Sequence, residues 1–179
     1  MAVLSSLSEP REMNLLVGFV DLSRFHPFTQ RTQDAEVASM LSDYYELVGD
    51  AIEGSGGQVV KFMGDAALTV HAEEDVDRGV QALLELKQSG DAWLADRGIP
   101  SEQNMNAHFG SVTAIMVGTR TDKRPDIFGD VVATAVVMRS RGFALTAQVF
   151  RKLSPETRTL FKKHTPPISY IPLEQRHRD

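Results

Sequence analysis

Three ionisable residues sit where they could do chemistry: Asp21, Lys61 and Asp65. Asp21 closes the apolar run LLVGFVDL (15–22). A continuous apolar segment of that length has the pattern of a buried strand. A carboxylate at its end is costly to bury unless it meets a partner or a metal ion. Lys61 and Asp65 belong to GGQVVKFMGDAALTVHA (56–72), where two β-rich segments, 58–62 and 67–71, flank Met63-Gly64-Asp65. Gly64 permits the positive φ of a tight turn, so the stretch reads as a hairpin. Spacing alone also suits a charged hairpin tip facing water. Asp21 adds the other possibility. Two aspartates at the ends of neighbouring strands offer hard oxygen ligands to Mg²⁺ or Mn²⁺, ions that keep waters and reach substrate phosphates through one or two protein carboxylates.

The elements that must hold these groups are readable in outline. Residues 35–53 form a helix with Val37, Leu41, Tyr44, Val48 and Ile52 on one face, stopped by Gly54-Ser55-Gly56-Gly57. Residues 23–34 are a polar connection with Phe25 and Phe28 turned inward. Glu73-Glu74-Asp75 supplies negative charge at the start of a second helix reaching about Gly98, with Trp93 and Leu94 in the core. Two strand pieces, 105–109 and 112–117, surround Gly110-Ser111, and His108 reads as a structural histidine on the first of them. A polar loop (118–125) leads to a short β segment, 126–128, and a helix over 130–141. Short helices at 147–153 and 155–163 and an edge strand at 168–171 complete the chain. Strands and helices in this order predict an α+β sandwich, with helices on a mostly antiparallel sheet.

Composition narrows the function. The length of 179 residues suits a single domain, with the core expected at about 14–172 and flexible ends expected at 1–13 and 173–179. A net charge of −5 and the lack of a basic stripe argue against nucleic acid as partner. No apolar run approaches the roughly 20 residues of a membrane span. The absence of cysteine fits the cytoplasm and excludes thiolate metal sites.

Four segments occur together: FVDLSRFHPFT (19–29), GGQVVKFMGDAALTVH (56–71), HFGSVTAIMVG (108–118) and DIFGDVVATA (126–135). In type, order and spacing they resemble the catalytic domain of class III nucleotide cyclases, the adenylyl and guanylyl cyclases. The resemblance implies a ferredoxin-like palm and a head-to-tail homodimer with each active site shared between two chains. It places Asp21, Leu22 and Asp65 at two divalent ions, Mg²⁺ or Mn²⁺, and Ser23, Arg24 and Phe25 on the triphosphate; Lys123 is a candidate for a further phosphate contact by its charge alone. It gives Lys61 and Asp126 the reading of the base. A lysine donates to adenine N1 and a carboxylate accepts from the exocyclic amine, so the implied substrate is ATP and the product cyclic AMP.

In one place the chain departs from that pattern. Related domains carry an asparagine and an arginine on the helix after Asp126, and here those positions are Ala133 and Val137. Loss of one donor to a developing oxyanion costs about 2.7–4 kcal/mol. Arg141, one helical turn past Val137 on the expected 130–141 helix, and Thr134 beside Ala133 are the substitutes the sequence offers. The alternative is a cyclase-homology domain that binds nucleotide or a partner without turnover, or a cyclase for another nucleotide.

Overall fold

The computed structural model describes residues 3–5, 7–138, 140–165 and 167–176. The sheet is built on β1 (Arg11–Leu22), which pairs antiparallel with β3 (Ala66–Ala72) on one side and β4 (Gln103–Gly118) on the other. β2 (Gln58–Met63) lies outside β3, joined to it by the Gly64-Asp65 turn. β5 (Lys123–Phe128) folds back on the outer half of β4, and β6 (Phe143–Thr146) runs parallel to the inner half. β8 (Ser169–Pro172) and β7 (Phe161–His164) extend the sheet beyond β6. The eight strands run β2-β3-β1-β4-β6-β8-β7 with β5 on β4, all pairs antiparallel except β4 with β6.

Alternation along β1 feeds two cores. Leu16, Val20 and Leu22 face α2 (Asp34–Gly54), α3 (Val76–Asp96) and α5 (Ala147–Lys152). Leu15, Val17 and Phe19 face the other way, under α4 (Asp130–Val137). The predicted stripe of α2 is the buried one: Tyr44, Val48 and Ile52 are sealed in the first core. Burying each aliphatic member of such a stripe is worth about 1.5–3 kcal/mol. The result is the α+β arrangement expected, and among the described residues no helix is long and apolar enough to cross a membrane.

Several expected elements differ. β4 runs unbroken through Gly110-Ser111, since both residues pair with β1, opposite Leu15 and Asn14. The polar loop contracts to a turn in which Thr119 N donates to Asp122 O at 2.9 Å, and β5 starts at Lys123. Residues 23–34 contain a short helix, α1 (Phe25–Thr29). The second late helix is one turn, α6 (Pro155–Arg158), and residues 161–163 belong to β7 instead. β6 was not foreseen, because four residues, three of them apolar, are too few to show a period. At the amino end β1 already begins at Arg11, and Leu4 is only 3% exposed, with its N–H donating to Gln58 Oε1 at 2.8 Å. Residues 3–5 therefore pack on the α4-side core instead of trailing free. Residues 177–179 lie outside the described residues.

Candidate active site

Val20 pairs with Ala67, so Asp21 and the Gly64-Asp65 turn lie at the same end of the β1–β3 ladder. Alternation puts Asp21 on the sheet face that α4 also covers. Burial first, and then the negative charge of Asp65, raise the Asp21 carboxyl to about 6, against the Leu22 N–H that hydrogen-bonds it. Asp65 is likewise raised by burial. Two half-buried carboxylates thus repel each other, and none of the ion pairs among the described residues involves either. Their chemistry fits a divalent cation, which would relieve that repulsion. The described residues hold no cluster of three or more His, Cys, Asp or Glu able to bind a metal. Two carboxylates are the number that suffices for Mg²⁺ when substrate phosphates and water complete the shell.

Two tyrosines hold this end together, and sequence reading gave neither a role at the site. Tyr45 of α2 stacks on Phe62 of β2, ring centroids 3.9 Å apart, and donates to the Gly64 carbonyl at 2.5 Å. Burial and the Asp65 charge keep its phenol above the ordinary range. The buried Tyr44 hydroxyl donates to Gln103 Oε1 at 2.9 Å, and Gln103 Nε2 donates to Leu86 O at 2.7 Å. Burial chiefly, then the charges of Asp91, Asp21 and Asp65, raise Tyr44 strongly, so it stays a donor. The available signal was the pair of adjacent tyrosines: helical geometry turns one into the core and leaves the other over the hairpin.

Lys61 and Asp126, distant in sequence, do meet: Lys61 Nζ lies 2.6 Å from Asp126 Oδ2. A bulge between Val59 and Lys61 resets the β2 register just before the lysine. Asp126 Oδ1 accepts from Ile127 N at 2.8 Å, which fixes the carboxylate. The pair lines a cavity of about 670 Å³ with Phe62, Val117, Thr119 and Arg124.

The remaining candidates divide. Leu22 ends β1, buried. Ser23 N donates to Glu102 O at 2.8 Å and its hydroxyl accepts from Glu102 N at 3.1 Å, so the backbone beside Asp21 is pinned to the start of β4. Arg24 has φ 57°, the one positive φ at a non-glycine among the described residues, and it is exposed. Phe25 is buried in the helix-side core, so only its backbone is available to a ligand. Lys123 is exposed at the start of β5.

The expectation for Arg141 fails. α4 stops at Val137, Met138 turns extended with ψ 105°, and Asn106 Nδ2 holds the Met138 carbonyl at 2.5 Å. The chain must leave the helix there to enter β6, so Arg141 shares no helix face with Val137. Thr134 stays on α4, half-buried, next to the exposed Ala133; Val137 is 69% exposed.

The chain is 29% identical over 143 residues to an uncharacterised protein of Mycobacterium tuberculosis, covering 78% of this chain and 34% of that protein. It is 28% identical over 130 residues to an adenylate cyclase of Streptomyces coelicolor, covering 73% and 29%. This chain therefore spans about a third of the length of these relatives. Among solved structures, a bacterial light-regulated adenylyl cyclase superposes with a TM-score of 0.80 at 21% identity, over 96% of this chain and 55% of that one. The family model described as "Adenylate and Guanylate cyclase catalytic domain" matches residues 8–166. With that match over most of its length, the chain belongs to the adenylate and guanylate cyclase catalytic domain family.

Proposed function

We propose that this domain converts ATP to cyclic AMP and pyrophosphate in the cytoplasm, at a site shared by two copies arranged head to tail, with two Mg²⁺ or Mn²⁺ ions per site. The observation that carries the choice of ATP is the Lys61–Asp126 pair, 2.6 Å apart at the rim of a cavity. When adenine enters, the ammonium turns from Asp126 to N1 and the freed carboxylate oxygen accepts from the exocyclic amine; guanine offers the opposite pattern on that edge. The assignment of the metal end to Asp21 and Asp65 is supported by their shared position at the β1–β3 strand ends and their raised carboxyls.

In the reaction the ribose 3′ oxygen bonds to the α-phosphorus, the bond from that phosphorus to the bridging oxygen breaks, and pyrophosphate leaves with the electron pair. The 3′ proton passes to water. Divalent ions held by Asp21 and Asp65 would lower the pKa of the hydroxyl and neutralise phosphate oxygens. The chain's own work is to hold Asp21 and Asp65 together, to present the pinned backbone of Ser23 and Arg24 towards the phosphates, and to seat the base between Lys61 and Asp126. Lys61 is only four residues from Asp65, too close along one hairpin for both to serve the two ends of one nucleotide; two chains resolve this.

A second reading is favoured by α4: Ala133 and Val137 are exposed and cannot donate a hydrogen bond, as a nucleotide-binding domain without turnover would tolerate. One experiment separates the two. The purified protein is incubated with ATP, GTP, CTP or UTP and Mn²⁺, following pyrophosphate and cyclic product. Cyclic AMP from ATP is expected. Nucleotide binding without any cyclic product would replace the first reading with the second.

A further inference from the structure

We propose that Tyr45 is a positioning residue for Asp65: its hydroxyl grips the Gly64 carbonyl and so fixes the turn that presents the carboxylate to a divalent ion. This rests on the assignment of Asp65 to the metal end. The β2–β3 ladder closes at Met63–Ala66, so Gly64 and Asp65 are the residues of that hairpin without a strand partner of their own. Gly64, at φ 64°, gives the turn the freedom of a residue without Cβ. Besides the Asp65 N–H that hydrogen-bonds its own carboxylate, the hold on this turn comes from outside the sheet.

Tyr45 supplies that hold at two points. Its ring lies flat on Phe62, 3.9 Å between centroids and 11° between planes, which ties it to the strand entering the turn. Its hydroxyl reaches past the strand end to the Gly64 carbonyl at 2.5 Å. The ring comes from α2, whose buried stripe of Tyr44, Val48 and Ile52 is anchored in the core, so the brace is as rigid as the core itself. The hydrogen bond is exposed, and water can satisfy the carbonyl when the hydroxyl is removed. The bond therefore contributes little to folding. Its work lies in geometry, where the partners behind a metal ligand set affinity.

Tyr45→Phe keeps the stacking ring and removes only the hydroxyl. Mn²⁺ binding is measured by electron paramagnetic resonance, with a non-hydrolysable ATP analogue present, in wild type, Tyr45→Phe and Asp65→Ala. Thermal melting of each is followed in parallel. Asp65→Ala should abolish the bound signal. Tyr45→Phe should weaken Mn²⁺ about tenfold with its melting temperature within about 2 °C of wild type, and raised metal should restore turnover at an unchanged kcat. Wild-type Mn²⁺ affinity in Tyr45→Phe would overturn the brace while leaving the metal site standing. So would an affinity loss that merely follows a lowered melting temperature. Absence of Mn²⁺ binding in the wild type would overturn the metal assignment itself, and this inference with it.

Discussion

Acid should destabilise this domain through one histidine far from the chemistry. His71 lies at the end of β3, 1% exposed. Gly57 and Gly79 press against its ring so closely that a Cβ on either would fall within 2.4 and 2.6 Å of ring atoms. Ser55 spends its hydroxyl proton on Ile52 O at 2.7 Å, so its oxygen accepts at 2.8 Å from His71 Nε2, which fixes the neutral tautomer. Burial, opposed by Asp75 and reinforced by Arg78, lowers the imidazole from 6.5 to about 4. A histidine depressed in the folded state binds its proton more readily when unfolded. The stability it permits is whole above pH 6.5 and is lost as pH falls towards 4. By pH 5 the loss reaches about 2 kcal/mol, and about 3 kcal/mol when protonation is complete. Because Asp21 titrates in the same range with opposite sign, the wild type alone does not isolate the effect. The assay is urea unfolding of wild type and His71→Gln from pH 7.5 to 5. The difference between them should narrow by about 2 kcal/mol as pH falls. A difference that stays flat would refute the argument.

Asp21→Asn should raise the melting temperature of the metal-free protein by roughly 2–4 °C, because it removes a strained half-buried charge worth about 1 kcal/mol once solvent screening is allowed for. The same variant should lose Mn²⁺-dependent turnover, and a drop in melting temperature would contradict the repulsion inferred at that end. Mixing Asp21→Ala chains with Lys61→Ala chains should restore turnover, since one of the two sites in each heterodimer is then intact; no recovery on mixing would refute the shared site. Lys61→Glu with Asp126→Cys should weaken ATP use and relax preference towards GTP in a competition assay, and an unchanged ATP preference would refute the base reading.

What the sequence disclosed followed from periodicity and costly placement. The α2 stripe and the apolar run into Asp21 were legible because a 3.6-residue period and a buried strand leave strong patterns. The meeting of Lys61 with Asp126 was reached through resemblance: nothing local links residues that far apart, and a bulge had to set the register. The boundary of α4 was misread because DVVATAVVMRSR carries no glycine or proline to stop a helix. The stop is tertiary, made by Asn106 on the Met138 carbonyl and by the pairing of β6 with β4. Tyr45 escaped notice for a similar reason, since its partner is a backbone carbonyl that no pattern of side chains reveals.

The end of α4 also changes what the domain can do at the α-phosphate. Val131 and Ala135 are buried against the sheet, while Ala133, Val136 and Val137 stand outward, continued by Phe128 at 49% exposure. Beyond the exposed Asp130 at its start the outward face carries apolar side chains with the half-buried Thr134 beside them, and Arg141 does not continue the helix. If the site is shared head to tail, this face meets a nucleotide held by the partner with the Thr134 hydroxyl as its one uncharged side-chain donor. Under that reading, charge developing at the phosphate is met from the end that carries Asp21 and Asp65. Arg24, three residues on from Asp21 in sequence, is exposed, in a left-handed conformation that a non-glycine residue adopts only at a cost. A site with its donors gathered at one end still orients the base and the triphosphate. It forgoes part of the stabilisation that raises kcat above what binding alone provides, so slow turnover with good nucleotide affinity is the behaviour this arrangement favours.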